Sequence, residues 1–326
     1  SWLGDAVMMG SLVKRLKAAA PDRTITVLTP AHLQPLVRRL PGVDETRVNP
    51  FAHGALKLVD RVRFGRSLRG RFDQAIVLPH SWKSALVPFF AGVRRRTGFV
   101  GEARHGLLND ARLLDEAALP RMVERFALLA EPRGAVRPAE TPAPSLVADP
   151  PATAAALARF GLDPARPAVA LCVGAEYGPA KRWPPNHFAA LGRRLVGEGF
   201  QVWLLGGPAD AGIGDQVLAL APDLINLAGR TMLDEAIDLI AAAAAVVSND
   251  SGLMHVAAAL DRPLIGLYGA TSPDFTPPLS DNAAVLFEEL PCRPCGKRVC
   301  PLGHMKCLNE LSPDRVFDTL ARLLAA

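Results

Sequence analysis

The stretch Val246–Leu260, VVSNDSGLMHVAAAL, constrains the fold more than any other part of the chain. The apolar run Ala241–Val247 is far shorter than the roughly 18 residues of a membrane span, and polar turn residues bound it. It reads as the end of a helix followed by a buried strand. Ser248-Asn249-Asp250-Ser251-Gly252 then turns the chain, and Leu253–Leu260 resumes at helical spacing. Asp250 or Ser251 is expected to cap the new helix, because either side-chain oxygen can accept from the free amides of the first turn. A strand, a small-residue turn and a helix N-terminus together form a ready anion site, where unpaired N–H groups and the positive dipole end converge. His255, one turn into the helix, is expected to add a further donor. Alone, the same pattern also describes an ordinary capped βα junction, so its meaning depends on partners elsewhere.

The rest of the chain repeats that pattern. Strands are expected at Ile25–Leu28, Phe72–Leu78, Ala168–Val173, Gln201–Leu205 and Leu264–Tyr268, with helices between them: from Asp5 to about Ala20, Pro30–Leu40, Trp82 to about Ala91, Pro185 to about Glu198 and Leu233–Ala244. Such alternation argues for parallel βαβ units, whose ligands bind beyond the carboxyl ends of the strands. That places Asp5, His80, Ser81, Lys83 and a Thr97-Gly98 turn on one rim. Asp5 is by default a helix N-cap, and otherwise a general base facing a cleft. In the second half, the loop Gly174–Pro184 carries Lys181 and Arg182 at a strand's carboxyl end, where they suit either a diphosphate or a solvated surface. Ser312 is expected to cap a last helix, Pro313–Ala325, with proline at its favoured first position.

With 326 residues, 49% hydrophobic and 21% charged, the chain suits two domains. The Pro- and Ala-rich stretch Arg133–Pro151 is the expected linker, giving domains of 1–145 and 146–326, with the last helix packing back on the first. The chain opens Ser-Trp-Leu-Gly-Asp, and one strand is expected to be missing ahead of it. A net charge of +5 and a pI near 9.1 suggest an anionic partner. Nucleic acid is a weak candidate, because neither a binding motif nor an aromatic platform accompanies the arginines. No G-x-G-x-x-G opens a helix, which argues against a nicotinamide cofactor. No D-x-D occurs, so a metal-bridged diphosphate is not indicated.

Six blocks of sequence resemble one known family: WLGDAVM (Trp2–Met8), LPHSWKSALVPFFAGVRRRTG (Leu78–Gly98), GLLND (Gly106–Asp110), GAEYGPAKRWP (Gly174–Pro184), SNDSGLMHVAAAL and SPDFTPPLS (Ser272–Ser280). Together they are similar to the lipopolysaccharide heptosyltransferases of glycosyltransferase family 9, over nearly the whole chain. Two departures stand out: the family's first strand is absent, and Cys292–Cys307 is cysteine-rich where some members have no cysteines.

The resemblance implies an α/β, GT-B fold, with two Rossmann-like domains facing a central cleft. It implies transfer of L-glycero-D-manno-heptose from ADP-heptose to the first heptose of the lipopolysaccharide inner core, inverting and without a catalytic metal. The acceptor would be heptosyl-Kdo2-lipid A, met transiently at the inner face of the inner membrane by a cytoplasmic enzyme. Asp5 matches the proposed base. Lys181 matches the lysine of the K-x-W-P block, and Asp250, Ser251, Gly252 and His255 match D-[ST]-G-x-x-H around the diphosphate. Glu176, Tyr177 and Leu253 extend the expected donor site, with Asp210 and Thr231 as candidates for ribose and adenine. Closure of the domains would bring Asp5 to the donor. Charge and position alone make Ser81, Lys83, Arg96 and Arg104 acceptor candidates. Other readings are a family 9 enzyme with a different acceptor or sugar, and a nucleotide-binding protein without catalysis. A carboxylate such as Asp5 would gain the latter nothing.

Cys172, alone in a strand, reads as a small core residue. Cys292, Cys295, Cys300 and Cys307, with His304 among them, could hold a structural zinc. Reduced thiols are the alternative, and disulfides are disfavoured in a cytoplasmic protein.

Overall fold

Every strand pairing among the described residues is parallel. The structure, a computed structural model, describes residues 2–52 and 54–325. Its contacts divide into two units, one of Ser11–Gln34 and Gly42–Pro142, the other of Trp2–Gly10, Pro35–Pro41 and Ala143–Ala326. In chain order the first elements are helix α1 (Leu3–Ala19), β1 (Thr26–Thr29), α2 (Gln34–Val37), β2 (Glu45–Val48), α3 (Leu58–Ser67), β3 (Gln74–Ile76), α4 (Trp82–Phe90), β4 (Arg95–Phe99), β5 (Asp110–Arg112) and α5 (Met122–Leu128). They form two sheets, β1-β2 and β3-β4-β5. Thr97 and Gly98, expected in a turn, lie inside β4 and are fully buried. The helix expected over Pro30–Leu40 shrinks to a 3-10 turn, Ala31–Leu33, and the four residues of α2. Pro35 lies within it and has no N–H to extend a helical ladder.

The second set comprises α6 (Pro150–Phe160), β6 (Ala168–Cys172), α7 (Pro185–Gly197), β7 (Gln201–Leu205), α8 (Ala211–Leu220), β8 (Ile225–Asn226), α9 (Leu233–Ala242), β9 (Ala245–Asn249), α10 (Gly252–Ala259), β10 (Leu264–Leu267), β11 (Ala283–Leu286), α11 (Lys306–Asn309) and α12 (Pro313–Ala325). Its six-stranded sheet runs β11-β10-β9-β6-β7-β8. The strands β6, β7, β9 and β10 are buried along their whole length. This matches the continuous apolar runs of a parallel sheet covered on both faces. The core joins Val169, Leu171, Val202, Leu204, Val247 and Ile265 to Phe188 and Leu191 of α7. Helix α12 is capped by Ser312, whose Oγ accepts from the Arg315 N–H at 3.2 Å. It buries Val316 and Leu320 in this same core, against α7 and β10.

The division drawn at residue 145 also shifts, because short early segments have their buried partners late in the chain. Arg39 forms a two-bonded ion pair with the buried Asp238, at 2.5 and 2.9 Å. Gly10 lies where a Cβ would press on Leu40 and Pro144.

Candidate active site

The carboxyl ends of β6, β9 and β10 bring three loops together, and Asp250 is their meeting point. Its Oδ2 accepts from Lys181 Nζ at 2.6 Å and from Thr271 Oγ1 at 2.5 Å. Lys181 ends a 3-10 turn, Pro179–Lys181, in the loop after β6. Thr271 sits in the loop after β10, and Asp250 directly follows β9. Adjacent parallel strands deliver their exit loops to one rim, so sheet order alone makes these residues neighbours. Thr271 was not singled out from sequence; its place after a strand beside β9 was the signal that could have found it.

The loop positions are fixed from beneath by Asn249. Its amide donates to the Val173 carbonyl at 2.9 Å, and its Oδ1 accepts the Trp183 N–H at 2.9 Å. The Trp183 ring is fully buried, and its Nε1 donates to the Leu311 carbonyl at 2.9 Å. The segment around Lys181 is therefore anchored at both ends, by a buried amide and a buried indole.

Ser251 does stand at the N-cap of α10, but its hydroxyl makes no cap hydrogen bond. It lies 3.2 Å from Ser248 Oγ instead. The amides at the start of α10 thus have no side chain capping them, and Lys181 is held beside the turn that leads into them. Gly252 heads the helix, and a Cβ there would strike Leu3. Leu253 follows it and is partly exposed.

His255, expected to add a donor, is buried four residues into α10. Burial pushes its pKa down from the ordinary 6.5 to about 4, with Lys181 acting the same way and Asp250 opposing. Its ring edge faces Gly4, where a Cβ would stand 2.9 Å from Cδ2. Leu3 against Gly252 and His255 against Gly4 form a reciprocal contact between the first turns of α1 and α10. Asp5 follows Gly4. It lies inside the first turn of α1 and is not the cap. Burial raises its carboxyl pKa, and the Trp2 backbone N–H, which donates to it, works the other way. The closeness of this segment to α10 is built into one packing unit and does not wait for domain closure.

The other expected residues fare differently. Tyr177 donates its hydroxyl to the Gly296 carbonyl at 2.5 Å, and its ring lies between Lys181 and Arg298, 4.9 and 5.2 Å from the centroid. Glu176 is exposed on the same loop. Asp210, the ribose candidate, braces its own loop: its buried carboxylate accepts the Gly207 N–H at 3.0 Å and faces Arg182 at 3.5 Å. Thr231 lies just before α9, and no described contact joins it to Lys181 or Asp250.

Arg104, expected to meet an acceptor phosphate, is 1% exposed. Its guanidinium donates to the Phe99 and Pro79 carbonyls, so it serves buried backbone acceptors. Arg96 likewise donates to the Leu107 and Val93 carbonyls at 2.7 and 2.6 Å. Lys83 Nζ donates to the Gly54 carbonyl at 2.9 Å. Ser81 precedes α4 without capping it.

All five cysteines are free thiols. Burial holds the Cys172 thiol up at about 12. As the side chains stand, no three His, Cys, Asp or Glu among the described residues form a metal-binding group. Cys292, Cys295, Cys300 and Cys307 nevertheless line a single cavity, of about 30 Å³, together with Ala180 and Ala270. No helix among the described residues is long and apolar enough to cross a membrane.

The sequence model of glycosyltransferase family 9 (heptosyltransferase) matches residues 61–306. The chain belongs to glycosyltransferase family 9. Within the family it is 47% identical to lipopolysaccharide heptosyltransferase 2 of Salmonella typhimurium, across 100% of this chain and 97% of that one. It is 42% identical to lipooligosaccharide heptosyltransferase 2 of Haemophilus influenzae, across 100% and 97%. The solved structure of E. coli ADP-heptose lps heptosyltransferase II superposes on this family 9 chain with a TM-score of 0.90 at 44% identity, covering 100% of it and 96% of the E. coli chain. The α/β fold with parallel sheets is thus that of the family 9 heptosyltransferases.

Proposed function

We propose that this chain transfers L-glycero-D-manno-heptose from ADP-heptose to the first heptose of the lipopolysaccharide inner core. The full-length similarity to enzymes named heptosyltransferase 2 carries this reading, and the Lys181–Asp250–Thr271 group beside the start of α10 supports it. The donor diphosphate lies against the amides of α10 and the Lys181 ammonium, which stabilise charge as it develops on the leaving group. Asp5 takes the proton of the acceptor hydroxyl. The acceptor oxygen bonds to the anomeric carbon from the face opposite the diphosphate. The anomeric C–O bond breaks, and ADP leaves with its electron pair, inverting the centre. No metal takes part in this step.

The raised pKa of Asp5 suits the role, since a base works best with its pKa nearer the working pH. The acceptor is heptosyl-Kdo2-lipid A, met by a cytoplasmic enzyme at the inner face of the inner membrane. Ser81, Lys83, Arg96 and Arg104 are the acceptor-side candidates, and the last three each donate to backbone carbonyls.

Asp5→Asn tests the reading with ADP-heptose and monoheptosylated acceptor. A fall in kcat of about 10²-fold or more, with ADP affinity unchanged, is expected for a lost general base. Full turnover by the variant would remove Asp5 from catalysis. Failure of the unaltered protein to use this acceptor would overturn the function.

A further inference from the structure

The segment Cys292–Cys307, CRPCGKRVCPLGHMKC, lies across the two loops that carry Lys181 and Thr271. Its Arg298 carbonyl accepts the Ala180 N–H at 3.1 Å, and its Gly296 N–H donates to the Ala270 carbonyl at 2.8 Å. Arg293 adds bonds to the Gly269 and Thr271 carbonyls at 2.6 and 3.0 Å. Gly178 passes so close beneath that a Cβ would strike the Arg298 carbonyl. This strap fixes both loops of the donor site, yet between β11 and α11 it has no regular secondary structure of its own. Beneath it, Cys292, Cys295, Cys300 and Cys307 line one cavity together with Ala180 and Ala270 from the loops it holds and five further residues of the strap.

We propose that Cys292, Cys295, Cys300 and Cys307 bind one tetrahedral metal ion of the zinc or ferrous class, and that this ion holds the strap in place. Two independent features support it. The four cysteines, a C-x-x-C and two later ones, line one cavity of about 30 Å³, ample for a bare ion with sulfur ligands about 2.3 Å away. Gly296, directly after the C-x-x-C, has φ +62, and Gly303, three residues after Cys300, has φ +71. These left-handed residues let the chain fold back around a sulfur.

Charge balance agrees. Four thiolates around a divalent ion leave a net charge of −2, and the segment carries Arg293, Lys297, Arg298 and Lys306 with no acidic residue. His304 is not a ligand through Nδ1, which accepts the Lys306 N–H at 3.0 Å. The thiols are not gathered into a ready ligand set. Binding would complete the site by rotation about single Cβ–S-bearing bonds, as metal sites commonly form together with their ion.

The test uses the full chain, purified without chelator or affinity metal. Elemental analysis is expected to find about one zinc or iron ion per chain, and which element it is distinguishes the two. Metal removed under reducing conditions and replaced by cobalt is expected to give sulfur-to-cobalt charge-transfer absorption, absent in Cys292→Ser/Cys295→Ser. Protein without bound metal, whose cobalt form lacks that absorption, would overturn the site even if the double variant fails to fold. Stripping the ion is expected to weaken ADP binding about fivefold or more by calorimetry, reversibly. Unchanged ADP affinity would overturn the strap's role in the donor site, which rests on the transferase reading as the ion itself does not. Because ADP affinity does not depend on turnover, failure of heptosyl transfer would not be mistaken for failure of either.

Discussion

At the scale of single residues, Asp250 resolves an apparent conflict, a carboxylate in the proposed site of an anionic donor. Its charge is matched by Lys181 at 2.6 Å, and Thr271 donates to the same oxygen at 2.5 Å. The carboxylate therefore orients a cation and does not stand as an unpaired negative charge. A hydrogen bond to a charged group contributes about 1.5–3 kcal/mol. Thr271→Val, which keeps the shape and removes the donor, is expected to lower kcat/KM for ADP-heptose roughly tenfold or more. Thr271→Ser should retain most of the activity. Equal kinetics for the Val variant and the unaltered chain would show that the Lys181–Asp250 pair needs no third partner. Arginine placement carries the opposite lesson. Arg96 and Arg104 are acceptor candidates from sequence, yet both donate to backbone carbonyls, as Arg61 also does.

At the scale of elements, the contact between α1 and α10 decides where Asp5 stands. Gly4 admits the His255 ring, and Gly252 admits Leu3, so either helix advances only as far as the other's glycine allows. Gly4→Ala would force a shift of the first turn. Overpacking of this kind costs about 1–3 kcal/mol, and a displaced base is expected to lower kcat more than it changes ADP affinity. A kcat loss absent from this variant, in folded protein, would show that the contact serves packing alone. The same contact makes His255 acid-sensitive. Its folded pKa of about 4 lies below the ordinary 6.5, so between those values the unfolded chain binds more protons than the folded one. The effect is nil above pH 6.5 and grows as pH falls toward 4, destabilising the fold by about 3 kcal/mol at most. His255→Gln is expected to flatten this part of the profile when denaturant midpoints are compared across pH. Parallel profiles for the two proteins would refute it.

At the scale of the whole molecule, the parallel order of the sheets and the chemistry at their carboxyl ends were legible because both depend on local patterning. The runs AVALC, QVWLL and AVVSN are mostly apolar, and all three are buried central strands. The helix starts at Trp82, Pro185, Leu233 and Pro313 were equally plain. Partnerships across long separations were not. Nothing local in Arg39 announces Asp238, 199 residues away, and nothing in Gly4 announces His255. Thr97-Gly98 looked like a turn because glycine commonly marks one, but burial within β4 overrode that preference. The Arg39–Asp238 pair offers a test at this scale. Asp238 is almost wholly buried, so Arg39→Ala leaves an uncompensated charge, expected to cost about 3–5 kcal/mol. Thermal unfolding would read this directly, and a change below about 1 kcal/mol would mean that Asp238 finds other partners.

The strap over the donor site has an evolutionary consequence. It grips its neighbours chiefly through main-chain groups: the Arg298 carbonyl, the Gly296 N–H and the Gly296 carbonyl. Main-chain handles survive most changes of side chain. The means by which such a segment is kept folded can therefore drift between lineages, cysteines in one and packing or ion pairs in another, while the surface it presents to the donor loops stays constant. A transferase of this build can exchange its internal fastening without retuning its chemistry.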